Sequence, residues 1–169
     1  MKRKGFTLVE LLIVIVVIGI LSAMMMLSST EAVTSAKASN VVSNLRNLKT
    51  AALALYVDEL DDFETKDVGA SGNKLTIANV IKYLNSAQSV DMTGGYTYDI
   101  VAVSPTGATA KISDAEWYLS CNITDPRVQE KLEGRAKSTG LLANSSAGTT
   151  ASYTKNASTG ANKVYYRVR

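Results

Sequence analysis

The feature that most constrains this chain is an uncharged, strongly apolar run near its N-terminus. Residues 11–30 contain no charged side chain and consist mainly of Leu, Ile, Val and Met. At about 1.5 Å per residue, a helix of this length reaches ~30 Å, the thickness of the hydrocarbon core of a bilayer. Lys2, Arg3 and Lys4 precede the run and place the N-terminus on the cytoplasmic side. The sequence therefore predicts a membrane-spanning helix.

Three kinds of segment fit this run: a cleaved secretory signal, a permanent single-span anchor, and an anchor that later becomes a polymerisation element. The apolar stretch is longer than the ~7–15 residues that are typical of a secretory signal. Residues 22–24, Ser-Ala-Met, are also a poor site for signal peptidase. The anchor and the polymerisation element remain, and Glu10 bears on the choice between them.

Glu10 is the only charged residue in the apolar segment that begins at Phe6. A carboxylate at the centre of a membrane span costs roughly 2.5–3.5 kcal/mol on insertion scales, and less near an end. Two explanations are open. Either the Glu10 side chain reaches back to the membrane interface, or it awaits a cation supplied by another chain.

The hexapeptide GFTLVE at residues 5–10 follows a short basic leader and precedes a long Leu/Ile/Val run. This combination resembles the N-terminal signature of type IV pilins and type II secretion pseudopilins. The resemblance implies that a prepilin peptidase cleaves between Gly5 and Phe6, and that the new Phe6 amine is methylated. It also implies that Glu10 faces the Phe6 amine of a neighbouring subunit during assembly. The physics agrees, because an unpaired buried charge is expensive while a paired one is tolerable.

The chain departs from the family pattern in two ways. Many members have a proline near the position of Leu27, where the helix loosens inside the filament, and this sequence has none there. Gly19 and Ser22 are the residues that would weaken the helix instead. Many pilins also close a C-terminal loop with a disulfide, which a chain whose only cysteine is Cys121 cannot form within itself.

After residue 30 the helical pattern continues but becomes amphipathic. Apolar residues recur at three- and four-residue steps, at Val33, Val41, Leu45, Leu48, Ala52 and Leu55. We expect one long spine whose second half packs on a globular head, with a short coiled coil as the alternative. The acidic run DELDD at residues 58–62 opposes the negative end of a helix dipole, so the spine is expected to end there.

The remaining sequence predicts a small head. Its expected elements are a helix at residues 77–84, a helix from Pro126 to about Gly134 capped by Asp125, a loop at 138–160, and strands at 96–103, 108–112, 116–123 and 163–168.

The predicted fold class is α+β. A long N-terminal helical spine, membrane-spanning in its first half and amphipathic in its second, packs on a small antiparallel sheet, similar to the pilin layout. Residues 1–5 are the expected leader peptide and residues 6–28 the transmembrane and polymerisation helix. Residues 29–169 are the expected amphipathic helix plus globular head.

Composition argues against catalytic and metal sites. The chain has no histidine, which removes the usual general base near neutral pH and the commonest metal ligand, and leaves Cys121 without an activating partner. The acidic residues at 58–67 lack the spacing and glycine of a calcium loop and are interpreted as a solvated turn. Without residues 1–5 the chain has 15 basic and 15 acidic side chains, and no basic run favours nucleic acid. No enzyme activity, cofactor, metal or specific nucleic-acid partner is expected.

The sequence is therefore interpreted as a structural subunit of a type IV pilus-like filament. It is expected in the cytoplasmic membrane before assembly and in a cell-surface filament, or fimbria, afterwards. Its expected partners are other copies of itself, a prepilin peptidase, the pilus assembly machinery and, before assembly, membrane lipid. The resemblance connects such filaments with cell adhesion, motility and secretion. Two alternatives stay open: a periplasmic pseudopilin of a type II secretion system, and a singly anchored envelope binding protein that never polymerises.

Overall fold

The computed structural model describes residues 6–84, 90, 95–105, 110–144, 151–154 and 162–169. Its elements, in chain order, are α1 (Leu8–Asp58), α2 (Leu60–Thr65), α3 (Ile77–Lys82), β1 (Thr97–Val103), a 3-10 helix (Ile112–Asp114), β2 (Glu116–Ile123), α4 (Pro126–Thr139), β3 (Leu141–Leu142) and β4 (Asn162–Arg167). The predicted α+β fold, a long N-terminal helix on a small antiparallel sheet, is confirmed.

Helix α1 is a single element of 51 residues, which at about 1.5 Å per residue is some 75 Å long. Residues 6–26 and 29–33 are exposed on every side, and burial begins at Thr34 among the residues whose side chains are described. From there one stripe is buried against the head, formed by Ala38, Val41, Leu45, Leu48, Ala52 and Leu55. Val33 was expected in this stripe but is 52% exposed. It lies eight residues before Val41, which turns it about 80° away from the buried side of the helix.

The spine ends where the acidic run predicts. Glu59 separates α1 from α2, with φ −110° and ψ 25°, and its backbone N–H donates to the Leu55 carbonyl at 3.0 Å. Two of the acidic side chains are paired with lysines: Glu59 with Lys74, and Asp62 with Lys66 at 3.0 Å. These cations offset the unfavourable placement of carboxylates at the negative end of a helix.

The sheet is antiparallel, with the strand order β1-β2-β4-β3. β2 is a central strand, and its register places Leu119 opposite both Ile100 of β1 and Tyr166 of β4. All residues from Trp117 to Cys121 are buried. β2 is thus covered on both faces, which a one-sided alternation of apolar residues does not predict.

Residues 106–109 lie outside the described residues, so the strand expected at residues 108–112 can be compared only from residue 110 onward. There the prediction is wrong. Lys111 forms an isolated bridge with Asp67, and Ile112 begins the 3-10 helix. The backbone N–H of Ile112 donates to Lys66, and its carbonyl accepts from the Trp117 indole at 2.9 Å. This stretch is therefore anchored to the end of α2, and β1 pairs directly with β2.

Helix α4 begins as predicted, with Asp125 accepting from the Arg127 N–H at 3.0 Å, but continues to Thr139 instead of ending near Gly134. The helix ends at Gly140, which adopts φ 75° and donates its N–H to the Ala136 carbonyl. Beyond it, β3 interrupts the expected loop because Leu141 and Leu142 pair with β4. Residues 145–150 and 155–160 of that loop lie outside the described residues.

Polar and aromatic contacts fix how the spine sits on the sheet. Asn44 of α1 donates its side-chain amide to the Tyr98 hydroxyl at 3.0 Å, a buried bond between the two layers. At the far end of the spine, Trp117 packs edge-on against Phe63 and Tyr56, with ring centroids 5.1 and 5.3 Å apart. The head thus has its own buried core, independent of the first half of α1.

We predict that a chain starting at residue 29 is a soluble, folded monomer. The reason is that the described buried residues of α1 begin at Thr34, so the truncation removes none of the described core side chains. Thermal unfolding followed by the fluorescence of Trp117, the only tryptophan, should show one cooperative transition. Reductant should leave the melting temperature unchanged, because a single cysteine forms no intrachain disulfide. Aggregation, or a broad non-cooperative melt, would contradict this division of the chain.

Candidate assembly site at the N-terminal helix

Thr7 and Glu10 together cap the start of α1. Thr7 has extended backbone angles, φ −81° and ψ 152°, and its Oγ1 accepts from the Glu10 backbone N–H at 3.3 Å. In return, Glu10 Oε2 accepts from the Thr7 backbone N–H and from the Thr7 hydroxyl, both at 2.8 Å. This reciprocal arrangement is a capping box, which satisfies donors that a helix start leaves unpaired.

The role of Thr7 was missed in the sequence, although its signal was present. The spacing Thr-x-x-Glu at residues 7–10 is that of a capping box, and it stands at the start of an apolar run. The two functions expected for Glu10 did not include this one. The structure therefore adds a third explanation for the carboxylate: it closes the first turn of its own helix.

The expected cleavage and assembly residues are placed as follows. Gly5 lies outside the described residues. Phe6 precedes the helix and is 89% exposed, and Glu10 is exposed on the first turn. The structure brings Glu10 to Thr7. The pairing of Glu10 with the Phe6 amine was expected between two chains and stays a prediction.

Residues 6–26, here called the apolar shaft, are not covered by any other described residue of the chain. Sixteen large apolar side chains in the apolar shaft are 48–89% exposed. By its length and composition this part of α1 can cross a membrane, and Glu10 is its only ionisable side chain. An apolar surface of this size on a single chain marks contact with lipid or with other protein.

The junction between the apolar shaft and the head is held by polar contacts from α4. Lys131 lies 2.7 Å from a Glu31 carboxylate oxygen, and the Lys131 hydrogen bond and charge lower the pKa of Glu31. One turn further along α4, Arg135 donates to the hydroxyls of Ser35 and Ser39, each at 2.7 Å. The exposed Glu31–Lys131 pair contributes little stability, but the Arg135 fork fixes the angle between α4 and the spine.

Other candidate chemistry is not assembled in the described part of the chain. Among those residues no group of three or more Asp, Glu or Cys side chains is placed to hold a metal ion. Cys121 is fully buried, and burial raises the pKa of its thiol to about 12. A thiol with such a pKa stays protonated at neutral pH and packs as a small core residue.

Comparison with known proteins bears on the N-terminus. Residues 1–26 match the family model described as the prokaryotic N-terminal methylation motif. The match covers both residues 1–5 and the apolar shaft, and thus the hexapeptide on which the resemblance rests. No curated protein and no solved structure matches the chain.

Proposed function

We propose that this chain, whose N-terminus carries the type IV pilin and pseudopilin signature, is a structural subunit of a pilus-like filament. Its precursor is anchored in the cytoplasmic membrane by residues 6–28, with residues 1–5 as a leader peptide. A prepilin peptidase cleaves between Gly5 and Phe6, and the Phe6 amine is methylated. The mature chain then assembles with further copies of itself into a filament at the cell surface. It works by assembly and not by catalysis.

The observation that carries this proposal is the exposed apolar shaft, continuous with a helix that is buried in the head. Each large apolar side chain moved out of water contributes roughly 1.5–3 kcal/mol, so sixteen of them represent on the order of 20 kcal/mol or more. Lipid covers this apolar surface before assembly. In a filament, the apolar shafts of neighbouring copies cover it instead, and the heads remain outside as folded units.

The capping box is compatible with Glu10 both in the membrane-anchored chain and in the proposed filament. In the membrane-anchored chain, Thr7 donates two hydrogen bonds to the carboxylate, which lowers the cost of holding a charge at the edge of the bilayer. After cleavage, the Phe6 amine becomes a positive charge next to Thr7. In the proposed filament, the Glu10 of one copy pairs with the Phe6 amine of another, so that neither charge is buried alone.

The test of this proposal is the mass of the native subunit. Surface filaments sheared from producing cells should yield a polypeptide that begins at Phe6 and contains residues 6–169. It should be heavier than that sequence by one methyl group on the N-terminal amine. Intact-mass spectrometry with N-terminal fragmentation measures both.

Two outcomes would count against the proposal. A mass that matches all 169 residues would describe a permanent anchor that is never processed. Cleavage near Ala23 would describe a secretory signal. As a matched control, a Gly5→Trp chain should keep the full mass and remain in the membrane fraction, because a bulky side chain at the scissile position blocks entry into the protease.

A further inference from the structure

A cleft lies between α1 and α4, just above the junction with the apolar shaft. It has a volume of about 320 Å³ and is lined by Ser39, Val42, Ser43, Arg46, Asn47, Arg135 and Thr139. Its lining therefore contains two guanidinium groups, three hydroxyls and one amide, but no acidic residue. Such a set of donors binds anions, and a carboxylate or phosphate oxygen matches the planar fork of an arginine.

The two arginines of this cleft carry uncompensated charge. Arg135 is half-buried and donates to two serine hydroxyls, which accept hydrogen bonds but supply no negative charge. Arg46 is exposed, and the described part of the chain pairs neither guanidinium with a carboxylate. Lys131 lies one turn before Arg135 on α4 and differs from both arginines, because the Glu31 carboxylate neutralises its charge. Because the serines already hold Arg135 in place, binding an anion here costs little ordering entropy.

A pair of exposed carboxylates lies at the far end of the spine. On α2, Asp61 and Glu64 are exposed and stand three residues apart, so they share one face of the helix. We call this pair the acidic tip. In the described residues neither side chain has a basic partner, whereas the neighbouring Asp62, Glu59 and Asp67 are each paired with a lysine. The unpaired arginines of the cleft and the unpaired carboxylates of the acidic tip thus lie at different levels along the spine.

A chain cannot join these two regions by itself. From Arg46 to the end of α1 at Asp58 there are twelve residues of helix, about 18 Å, which exceeds the reach of the side chains. A second copy displaced along the long axis by about this distance brings its own Arg46 level with the end of α1 in the first, after which α2 and the acidic tip follow directly. We propose that the cleft formed by Arg46 and Arg135 receives the acidic tip of a second copy, and this rests on the proposed filament.

A lipid headgroup is the less suitable occupant. The cleft group nearest the membrane is the Arg135 guanidinium, which contacts Ser35, seven residues beyond residue 28 and thus about 10 Å further along the helix. The headgroup layer adds only about 5–8 Å on each side of the hydrocarbon core. Phosphate groups of lipid therefore stay below the cleft, whereas the head of a neighbouring copy stands at its level.

The first test is charge reversal in cells that make only the variant chain, with sheared filaments as the readout. Arg46→Glu should lower the filament yield at least about fivefold, because like charges then face each other. Asp61→Arg alone should also lower the yield, because an arginine then faces Arg46. The chain with both Arg46→Glu and Asp61→Arg should recover to within about twofold of the unmodified chain, since one ion pair is restored with reversed polarity while Arg135 keeps Glu64.

The control is Lys37→Glu, an exposed basic residue of the same helix outside the cleft, which should assemble normally. If the unmodified chain forms no filaments, the proposed function fails. If it forms them and Arg46→Glu forms them equally well, the docking proposal alone is overturned. Loss of yield in Arg46→Glu without recovery in the double variant Arg46→Glu with Asp61→Arg also overturns it, because the anion then belongs to another partner such as lipid or nucleic acid.

A second measurement does not depend on the charge variants folding. Ser43→Cys in the cleft and Thr65→Cys beside the acidic tip leave all the proposed ion pairs intact, and the native Cys121 is fully buried. A short bifunctional maleimide added to filaments of this chain should give a ladder of covalent multimers. The pair Lys37→Cys and Thr65→Cys should give at least about fivefold less. Equal cross-linking of the two pairs, or none from Ser43→Cys, would refute the docking.

Discussion

A chain carrying Glu10→Ala is expected to insert into the membrane at normal levels and yet to yield few or no sheared filaments. The substitution removes a charge that is costly in lipid, so insertion should not suffer. In the filament it leaves the Phe6 amine buried without its partner, and breaking a buried pair in this way typically costs about 3–5 kcal/mol per subunit. The measurement is the yield of sheared filaments against the amount of membrane-inserted chain.

Three control variants separate the charge pair from the capping box. Glu10→Gln keeps the shape of the side chain but not its charge, and should also fail to assemble. Thr7→Val removes the two capping bonds of the Thr7 hydroxyl at a cost of only about 1 kcal/mol and keeps the carboxylate, so it should assemble better than Glu10→Ala. Glu31→Ala removes an exposed carboxylate outside the apolar shaft and should assemble nearly normally. Full filament yield from Glu10→Ala would refute the charge pair.

Trp117→Ala should destabilise the head by about 3–5 kcal/mol, the cost typical of deleting a large buried aromatic side chain. Trp117 is fully buried, packs against Phe63 and Tyr56, and its indole N–H bonds to the Ile112 carbonyl at 2.9 Å. The variant therefore loses core contacts and the anchor of the 3-10 helix together. Since a small domain has only about 5–15 kcal/mol in total, the variant should be close to unfolding at 37 °C.

Urea unfolding of residues 29–169 followed by far-UV circular dichroism measures this effect, because the variant has no tryptophan left to report by fluorescence. Val57→Ala is the control for an exposed position. Val57 lies near the end of the spine, and its side chain is 76% exposed to solvent. The substitution should change the free energy of unfolding by less than about 0.5 kcal/mol. Trp117→Phe keeps an aromatic ring and should lose less than Trp117→Ala. A loss below about 1 kcal/mol in Trp117→Ala would mean that the aromatic cluster does not hold the head together.

Sequence patterns of short range predicted most of the elements. The apolar run and the amphipathic stripe gave α1, and the alternation at residues 116–123 matched the bounds of β2. The Asp125-Pro126 pair located the start of α4. These predictions succeed because neighbouring residues alone determine periodicity, capping and turn preference.

The failures occurred where a distant contact overrode a local pattern. Residues 111–112 pair with the end of α2 because the Trp117 indole and the Lys66 carbonyl hold them there. Gly134 does not end α4, because the helix continues on buried Leu132 and Ala136 until Gly140 takes a left-handed conformation. In both places, tertiary packing outweighs an intrinsic preference of about 1 kcal/mol.

By itself, the sequence determined the N-terminal part of this protein: the apolar shaft, its single carboxylate and the motif at residues 1–26 are local patterns whose physics needs no partner within the chain. Only the tertiary structure decided what lies beside the spine. The strand order β1-β2-β4-β3 and the contact of Arg135 with Ser35 and Ser39 join residues far apart in sequence. No local pattern encodes such pairings, because they depend on how the whole head closes over one face of the helix. The cleft of Arg46 and Arg135 exists for that reason alone.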